Sequence, residues 1–161
     1  TMKKLLPLSC VCALSLALWT YAASGSREGE TLSPTALQSS FESAGLTCKA
    51  DKDAAFVVSD EGIDTHVQID PDNKVLTYYS AWRLKNDAPE LRKLQYANRL
   101  NDRSLLVRFC ISKPNTLWCD YQFKLAGGSA AAQLLDNYRT YVAVVRDAVG
   151  AQDVDGIVSE E

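Results

Sequence analysis

The sequence is poor in the residues on which most catalytic sites depend. It contains one histidine, His66, in 161 residues, and nucleophilic catalysis usually needs such a base beside the nucleophile. His66 falls on the outward side of an expected strand, which is typical of an exposed residue rather than of a triad member. Asp60, Glu61 and Asp64 cluster in an expected turn, where they lack the burial that catalytic carboxylates need. We therefore expect a protein that is not an enzyme.

Motifs for metals and phosphates are missing as well. Zinc sites need closely spaced cysteine and histidine ligands, and the single histidine and the later cysteines are not spaced in that way. Gly127 and Gly128 have no third glycine and no lysine partner, so they do not form a phosphate loop. The formal net charge is −3, and no basic patch offers phosphate contacts. The sequence predicts no cofactor, no metal and no nucleic-acid partner.

The N-terminus has the layout of an export signal. Lys3 and Lys4 precede a charge-free apolar run from Leu5 to Trp19, and small residues follow at positions 22–25. This order predicts a signal peptide over residues 1–24 and a periplasmic or secreted protein that leaves the membrane after cleavage. The run from Leu5 to Ala23 is 19 residues long, close to the ~20 that a membrane span needs. An N-terminal membrane anchor is therefore the alternative.

The remaining chain divides into a flexible leader at 25–32, a domain at 33–150 and an acidic tail at 151–161, which we expect to be disordered. Ser33 and Pro34 are typical of a helix start, and Gly45 of a helix end. An alternating meander, a second helix, a hairpin and a third helix follow. This order predicts an α+β domain in which an antiparallel sheet, made of a meander and a hairpin, is covered by about three helices.

The second helix and the hairpin supply the candidate side chains. Leu91, Leu94, Asn98 and Asn101 fall on one stripe of the helix at helical spacing. We interpret both asparagines as structural: Asn101 can end the helix in left-handed geometry, and Asn98 can bond backbone groups where the hairpin begins. In the hairpin strand 104–112, the odd-numbered residues from Leu105 to Ile111 are expected to face the core.

The other side of that strand is the expected interaction surface. Leu106, Arg108 and Trp118 share the polar side of the hairpin by parity, and exposed tryptophan and arginine are typical of binding hot spots. Cys110 and Cys119 fall on opposite sides of the hairpin, so a bridge between them conflicts with regular pairing. A Cys48–Cys119 disulfide remains compatible with parity, and free thiols are the other interpretation.

Several residues resemble the YbjN family of bacterial proteins. The likeness begins at the helix end Phe41–Gly45 and is best from Leu94 to about Val149. Within it, Asn98 and Asn101 follow a leucine-rich helix, and a double glycine precedes the last helix. The resemblance implies a fold like that of type III secretion chaperones and a role as a sensory-transduction regulator. The export signal and the acidic tail depart from the family pattern.

These observations favour an exported, non-enzymatic protein-binding or chaperone-like regulatory domain of the YbjN type. The resemblance implies a protein partner or client and leaves a homodimer open, because secretion chaperones of this fold dimerise. The alternative is a small-ligand-binding protein or a hydrolase with a pocket between the sheet and the helices, lined by Asn98, Tyr78 or Tyr121. A structural subunit of the cell envelope is a third hypothesis.

Overall fold

The computed structural model describes residues 33–72, 74–112, 115–125 and 131–159. The signal peptide and leader expected at 1–32 lie outside these residues. The elements in chain order are α1 Pro34–Ser43, β1 Thr47–Lys49, β2 Phe56–Asp60, β3 Ile63–Asp70, β4 Val75–Arg83, α2 Glu90–Arg103, β5 Arg108–Ser112, β6 Thr116–Lys124 and α3 Ala131–Val149. None of the helices in the described ranges is long and apolar enough to span a membrane.

The strands form a six-stranded sheet in the order β1-β2-β3-β4-β6-β5, with every pair antiparallel. The meander and the hairpin therefore join along β4 and β6, whose long strands pair from Val75↔Lys124 to Arg83↔Thr116. The buried apolar residues of the three described helices form a single core with the inward side of this sheet. The expected α+β class and its arrangement are confirmed.

The first helix starts as its sequence predicts. The Ser33 hydroxyl accepts a hydrogen bond from the Ala36 N–H at 3.2 Å, and Pro34 occupies the first turn, where its missing donor costs nothing. Gly45 follows the helix at a φ of +86°. This backbone conformation is strained for residues that have a side chain. Leu37 and Phe41 are fully buried, so one face of α1 packs on the sheet.

Aromatic rings fill the space between the sheet and the helices. Tyr78 of β4 lies edge-on to Tyr138 of α3, with ring centroids 5.8 Å apart, and its hydroxyl donates to the Leu134 carbonyl at 2.7 Å. The Tyr141 hydroxyl donates to the Cys119 carbonyl at 3.1 Å. Burial raises the pKa of both hydroxyls, so they remain protonated donors. This filled layer counts against a pocket at the expected position beside Tyr78.

The buried stripe of α2 differs from the one that the sequence suggested. The residues of α2 that face the core are Lys93, Tyr96, Ala97 and Leu100. Leu91 is 66% exposed, and Asn98 is exposed as well. Both stripes have helical spacing, so periodicity alone did not separate them. Tyr96 decides the orientation, because its ring is fully buried and its hydroxyl donates to the Ala148 carbonyl of α3 at 2.6 Å.

The first strand of the hairpin is shorter than predicted. It begins at Arg108, and residues 104–107 form a bend in which the Ser104 hydroxyl accepts from the Val107 N–H at 3.0 Å. Val107 and Phe109 are buried as expected, but Leu105 is fully exposed. The alternation does not reach Leu105, because a strand's period of two applies only where the chain is extended.

The expectation of a disordered acidic tail is wrong for its described part. Ile157 is buried, and Val158 pairs with Leu84 beyond the end of β4. The Asp155 carboxylate accepts from Arg92 at 3.1 Å and from Arg99 at 3.0 Å, both on α2. The acidic composition predicts disorder, but Asp155 pairs with both arginines and holds the chain against α2.

Candidate functional site

A surface groove lies between the C-terminal half of α2, the bend 104–107 and the C-terminal half of α3. Its volume is about 660 Å³, within the range of typical ligand-binding clefts. The apolar residues that line it are Leu100, Leu105, Leu106, Phe109, Ala143, Val144 and Ala148. One end has a polar rim, where Arg103 donates to the Gln152 side chain and Gln152 donates to Asp147 at 3.1 Å. We call this feature the apolar groove.

The apolar groove exposes large side chains to solvent. Leu105 is 100% exposed and Leu106 is 51% exposed. Each would contribute roughly 1.5–3 kcal/mol if it were fully buried. A contiguous apolar patch beside a polar rim marks an interaction surface more often than a single exposed leucine does. Strand parity predicts Leu105 in the core, so its exposure does not follow from the sequence pattern.

The side chain of Asn101 holds α2 against the edge of the sheet beside this groove. Its amide donates to the Phe109 carbonyl at 2.7 Å, and its side-chain oxygen accepts from the Phe109 N–H at 2.9 Å. Asn101 therefore bonds the outward backbone groups of an edge strand as a neighbouring strand would. The structural role predicted for Asn98 belongs to Asn101. Helix α2 continues to Arg103, so Asn101 does not end it.

The helix-free side of the sheet forms a second candidate surface, the open sheet face. One cross-strand row of this face runs through Lys49, Val57, His66, Tyr79, Asp120 and Arg108. The Tyr79 ring stacks on His66 at 4.7 Å and on Trp118 at 4.6 Å between centroids. Arg108 forms a bidentate pair with Asp120, at 2.9 and 3.1 Å. On this face, the rings of His66, Tyr79 and Trp118 and the Arg108–Asp120 pair therefore already have partners within the chain.

The structure separates the three residues expected to share one interaction surface. Arg108 and Trp118 lie on the open sheet face, as their parity predicted. Leu106 precedes β5 and lines the apolar groove instead. The predicted position of Leu106 is wrong because strand parity does not apply to the bend that precedes β5.

The Asp51–His66 pair is the contact that most resembles catalytic machinery. His66 Nδ1 lies 2.5 Å from the Asp51 carboxylate. The Asp53 N–H, and after it the His66 ring, hold the pKa of the Asp51 carboxyl below its usual value. The His66 ring contacts Asp51 and Tyr79, and neither is a nucleophile of the serine or cysteine type. Across the described ranges, no group of three His, Cys, Asp or Glu side chains could hold a metal ion.

The sheet order contradicts a Cys48–Cys119 disulfide. Three strands separate β1 from β6, which places the two cysteines about 19 Å apart at the usual strand spacing. A disulfide needs Cα atoms within about 7 Å. Cys48, Cys110 and Cys119 are all free. Parity correctly excluded the hairpin bridge, but it carried no information on which strands are neighbours.

The thiols should differ in reactivity. Burial, and after it the Glu42 carboxylate, raises the pKa of Cys48 to about 11, and burial raises the pKa of Cys119 as well. A thiol reacts as its thiolate, so at pH 8 we expect Cys48 to alkylate about a hundredfold more slowly than an ordinary thiol. Its rate should rise with pH up to about 11. Iodoacetamide labelling followed by peptide mass spectrometry should find Cys110 modified first. Equal labelling of Cys48 and Cys110 would contradict this order.

No protein-family model and no curated protein sequence matches the chain. Solved structures do match it. The crystal structure of YbjN from E. coli, described as a candidate transcription regulator, aligns at a TM-score of 0.68 and 12% identity, over 81% of this chain and 98% of its own. The Yersinia pestis type III secretion chaperone SycH, in complex with a stable fragment of YscM2, aligns at 0.47 and 16% identity, over 70% and 98%. The expected YbjN-like fold is confirmed.

Proposed function

We propose that the chain is an exported, non-enzymatic protein-binding domain of the chaperone-like or regulatory kind. Its apolar groove holds an amphipathic helix of a partner protein. The observation that carries the proposal is the full exposure of Leu105 beside the half-exposed Leu106 and the apolar walls of the groove. Burying such a surface against a partner removes it from water, which is the main driving force of most protein association.

The choice of a helical partner follows from the backbone at the groove. An extended segment that docks on a strand needs free backbone donors and acceptors there, and Asn101 already occupies those of Phe109. A helix brings its own backbone hydrogen bonds. Along α3 the groove extends from Ala143 to Ala148, about 7.5 Å at the rise of an α-helix. Two apolar side chains one turn apart on a partner helix fit within that length, since their spacing is about 5–6 Å.

The non-enzymatic part of the proposal is supported by the surroundings of the titrating groups. The His66 ring is bonded to Asp51 and stacked on Tyr79, and neither of these residues is a serine or a cysteine. The layer between sheet and helices, where a hydrolase pocket was the alternative, holds the rings of Tyr78, Tyr138 and Tyr141. The YbjN likeness is at 12% identity and therefore supports the fold alone. Substrate turnover abolished by one carboxylate substitution would remove this part of the proposal.

Export is supported by the signal-like order of residues 1–24 alone. The domain would then act in the periplasm or outside the cell, free of the membrane once the signal is removed. The mass of the mature protein tests this directly. A chain that keeps its apolar N-terminus and sediments with membranes would favour the anchored alternative.

The groove is tested by affinity capture from envelope extracts with paired variants. Replacing both Leu105 and Leu106 with aspartate should weaken recovery of the partner at least tenfold, about 1.4 kcal/mol. Because Leu105 is fully exposed and Leu106 half-exposed, we expect stability to change by no more than about 0.5 kcal/mol. Leu91→Asp is the matched control, since Leu91 is an exposed leucine of α2 outside the groove.

Three outcomes of this capture would count against a partner helix in the groove. Equal recovery by the groove variant and the control would remove it as the binding site. Loss of the partner in Trp118→Ala, with the groove variant unaffected, would move the site to the open sheet face. If the retained protein is a second copy of the chain, the groove is a homodimer interface rather than a partner site.

A further inference from the structure

A buried lysine side chain lies on the inward stripe of α2. Lys93 is 3% exposed, and its ammonium donates to the Asn115 side-chain oxygen at 3.0 Å. Within the part of the chain that the structure describes, no ion pair within 4.0 Å includes Lys93. A buried charge normally has an opposite charge beside it, because desolvation is costly. An ammonium can donate three hydrogen bonds, so this one can take a further acceptor.

The neighbouring amide is held in place to receive this ammonium. Asn115 has a φ of +54°, a conformation that asparagine tolerates better than most residues. Its carbonyl accepts from the Leu84 N–H at 2.7 Å, and its side-chain amide donates to the Asn86 side chain at 3.2 Å. These bonds fix the side-chain oxygen that faces Lys93. The acceptor of the ammonium is therefore held in a fixed position by hydrogen bonds within the chain.

Lys93 lines a pocket of about 590 Å³ beside β5. Its walls include the polar residues Asn86, Ser112 and Asn115 and the apolar residues Leu94 and Ile111. Glu90 also lines the pocket, but it is exposed, so solvent screens its repulsion of an anion. None of the residues that line this pocket lines the apolar groove.

We propose that this pocket binds a carboxylate carried on a small aliphatic group. The carboxylate accepts from the Lys93 ammonium, and the aliphatic group packs on Leu94 and Ile111. The shared chemistry fits either a free branched carboxylic acid or the C-terminus of a chain that ends in an aliphatic residue. This site goes beyond the protein-binding function proposed for the groove and does not depend on it.

The test is an NMR titration of the full chain with three probes. N-acetyl-leucine represents a chain terminus, 4-methylpentanoate represents a free acid, and N-acetyl-leucinamide lacks the charge. We expect saturable shifts of the Asn86, Ser112 and Asn115 amides with at least one acid, and at least tenfold weaker binding of the amide. The tighter of the two acids identifies the source of the carboxylate. Lys93→Met should lose acid binding, and Lys49→Met, an exposed lysine at the far edge of the sheet, should keep it.

Equal affinities of N-acetyl-leucine and its amide would overturn the proposal, because they would show apolar binding without a role for the charge. Absence of saturable shifts with both acids in the wild type would overturn it too. If Lys93→Met still binds the acids, another cation holds the carboxylate and the proposal is wrong. The comparison of acid with amide uses the wild-type chain alone, so it decides the proposal even if a variant fails to fold.

Discussion

Replacing Phe41 with alanine is expected to lower the free energy of unfolding by about 3–5 kcal/mol. The Phe41 ring is fully buried and lies edge-on to Phe56 of β2 at 5.6 Å and to Tyr138 of α3 at 5.2 Å. It therefore joins α1, the sheet and α3 at one point. Removing it leaves a cavity and also breaks two edge-to-face ring contacts. Denaturant unfolding followed by tryptophan fluorescence measures the change.

Two variants sharpen this measurement. Phe41→Leu keeps most of the apolar volume, so its cost should be clearly smaller than that of the alanine variant. Leu91→Ala removes a leucine that is 66% exposed and should cost no more than about 0.5 kcal/mol. A loss below about 1 kcal/mol for Phe41→Ala would contradict the position of α1 in the core, since a fully buried ring cannot be removed so cheaply.

Asn101→Ala is expected to cost about 2 kcal/mol. It leaves the N–H and the carbonyl of Phe109 without the partners that Asn101 supplies at 2.9 and 2.7 Å. An unsatisfied buried backbone group costs about 1–3 kcal/mol, and water reaches this edge of the sheet in part. Hydrogen exchange of the Phe109 amide should speed up by more than the global unfolding change explains, because the bond that is lost is local.

Asn98→Ala is the matched control for Asn101→Ala. Asn98 lies on the same helix, is of the same residue type and is exposed, so its removal should change stability by about 0.5 kcal/mol or less. Asn101→Asp keeps the acceptor for the Phe109 N–H and loses the donor, which predicts an intermediate cost. If Asn98→Ala and Asn101→Ala cost the same, Asn101 does not hold the strand edge.

The fold was predictable because its signals are local. Ser33 and Pro34 predicted the first helix start, and their cap was found as expected. Apolar residues alternate along β4 and β6, and the inward Leu76, Tyr78, Leu117 and Cys119 are all buried. A period of two assigns faces correctly wherever both strands are extended over many residues.

The candidate site was less predictable because it depends on features that periodicity does not report. The stripe through Leu91 and the stripe through Lys93 have equal helical spacing, and only the tertiary partners of Tyr96 choose between them. Leu105 is exposed because β5 begins only at Arg108, three residues after it. Which strands are neighbours also has no local signal, and this is why the Cys48–Cys119 pairing failed.

Helix α2 connects the two proposed binding sites. Leu100 contributes to the apolar groove, and Lys93 and Leu94 contribute to the carboxylate pocket. Asp155 of the tail accepts from Arg92 and Arg99 and holds the same helix from another side. The two hydrogen bonds between Asn101 and the Phe109 backbone fix α2 on β5, so their loss should disturb both sites.

Photo-crosslinking from the apolar groove tests the central claim most directly. A benzoylphenylalanine placed at position 105 of the otherwise wild-type chain should give one dominant adduct in the cell envelope, and the same residue at position 91 should not. The cross-linked partner segment should carry apolar side chains at the spacing of one helical turn. Adducts of equal yield at positions 105 and 91, or a partner segment without an apolar helical face, would contradict the binding of a helix in this groove.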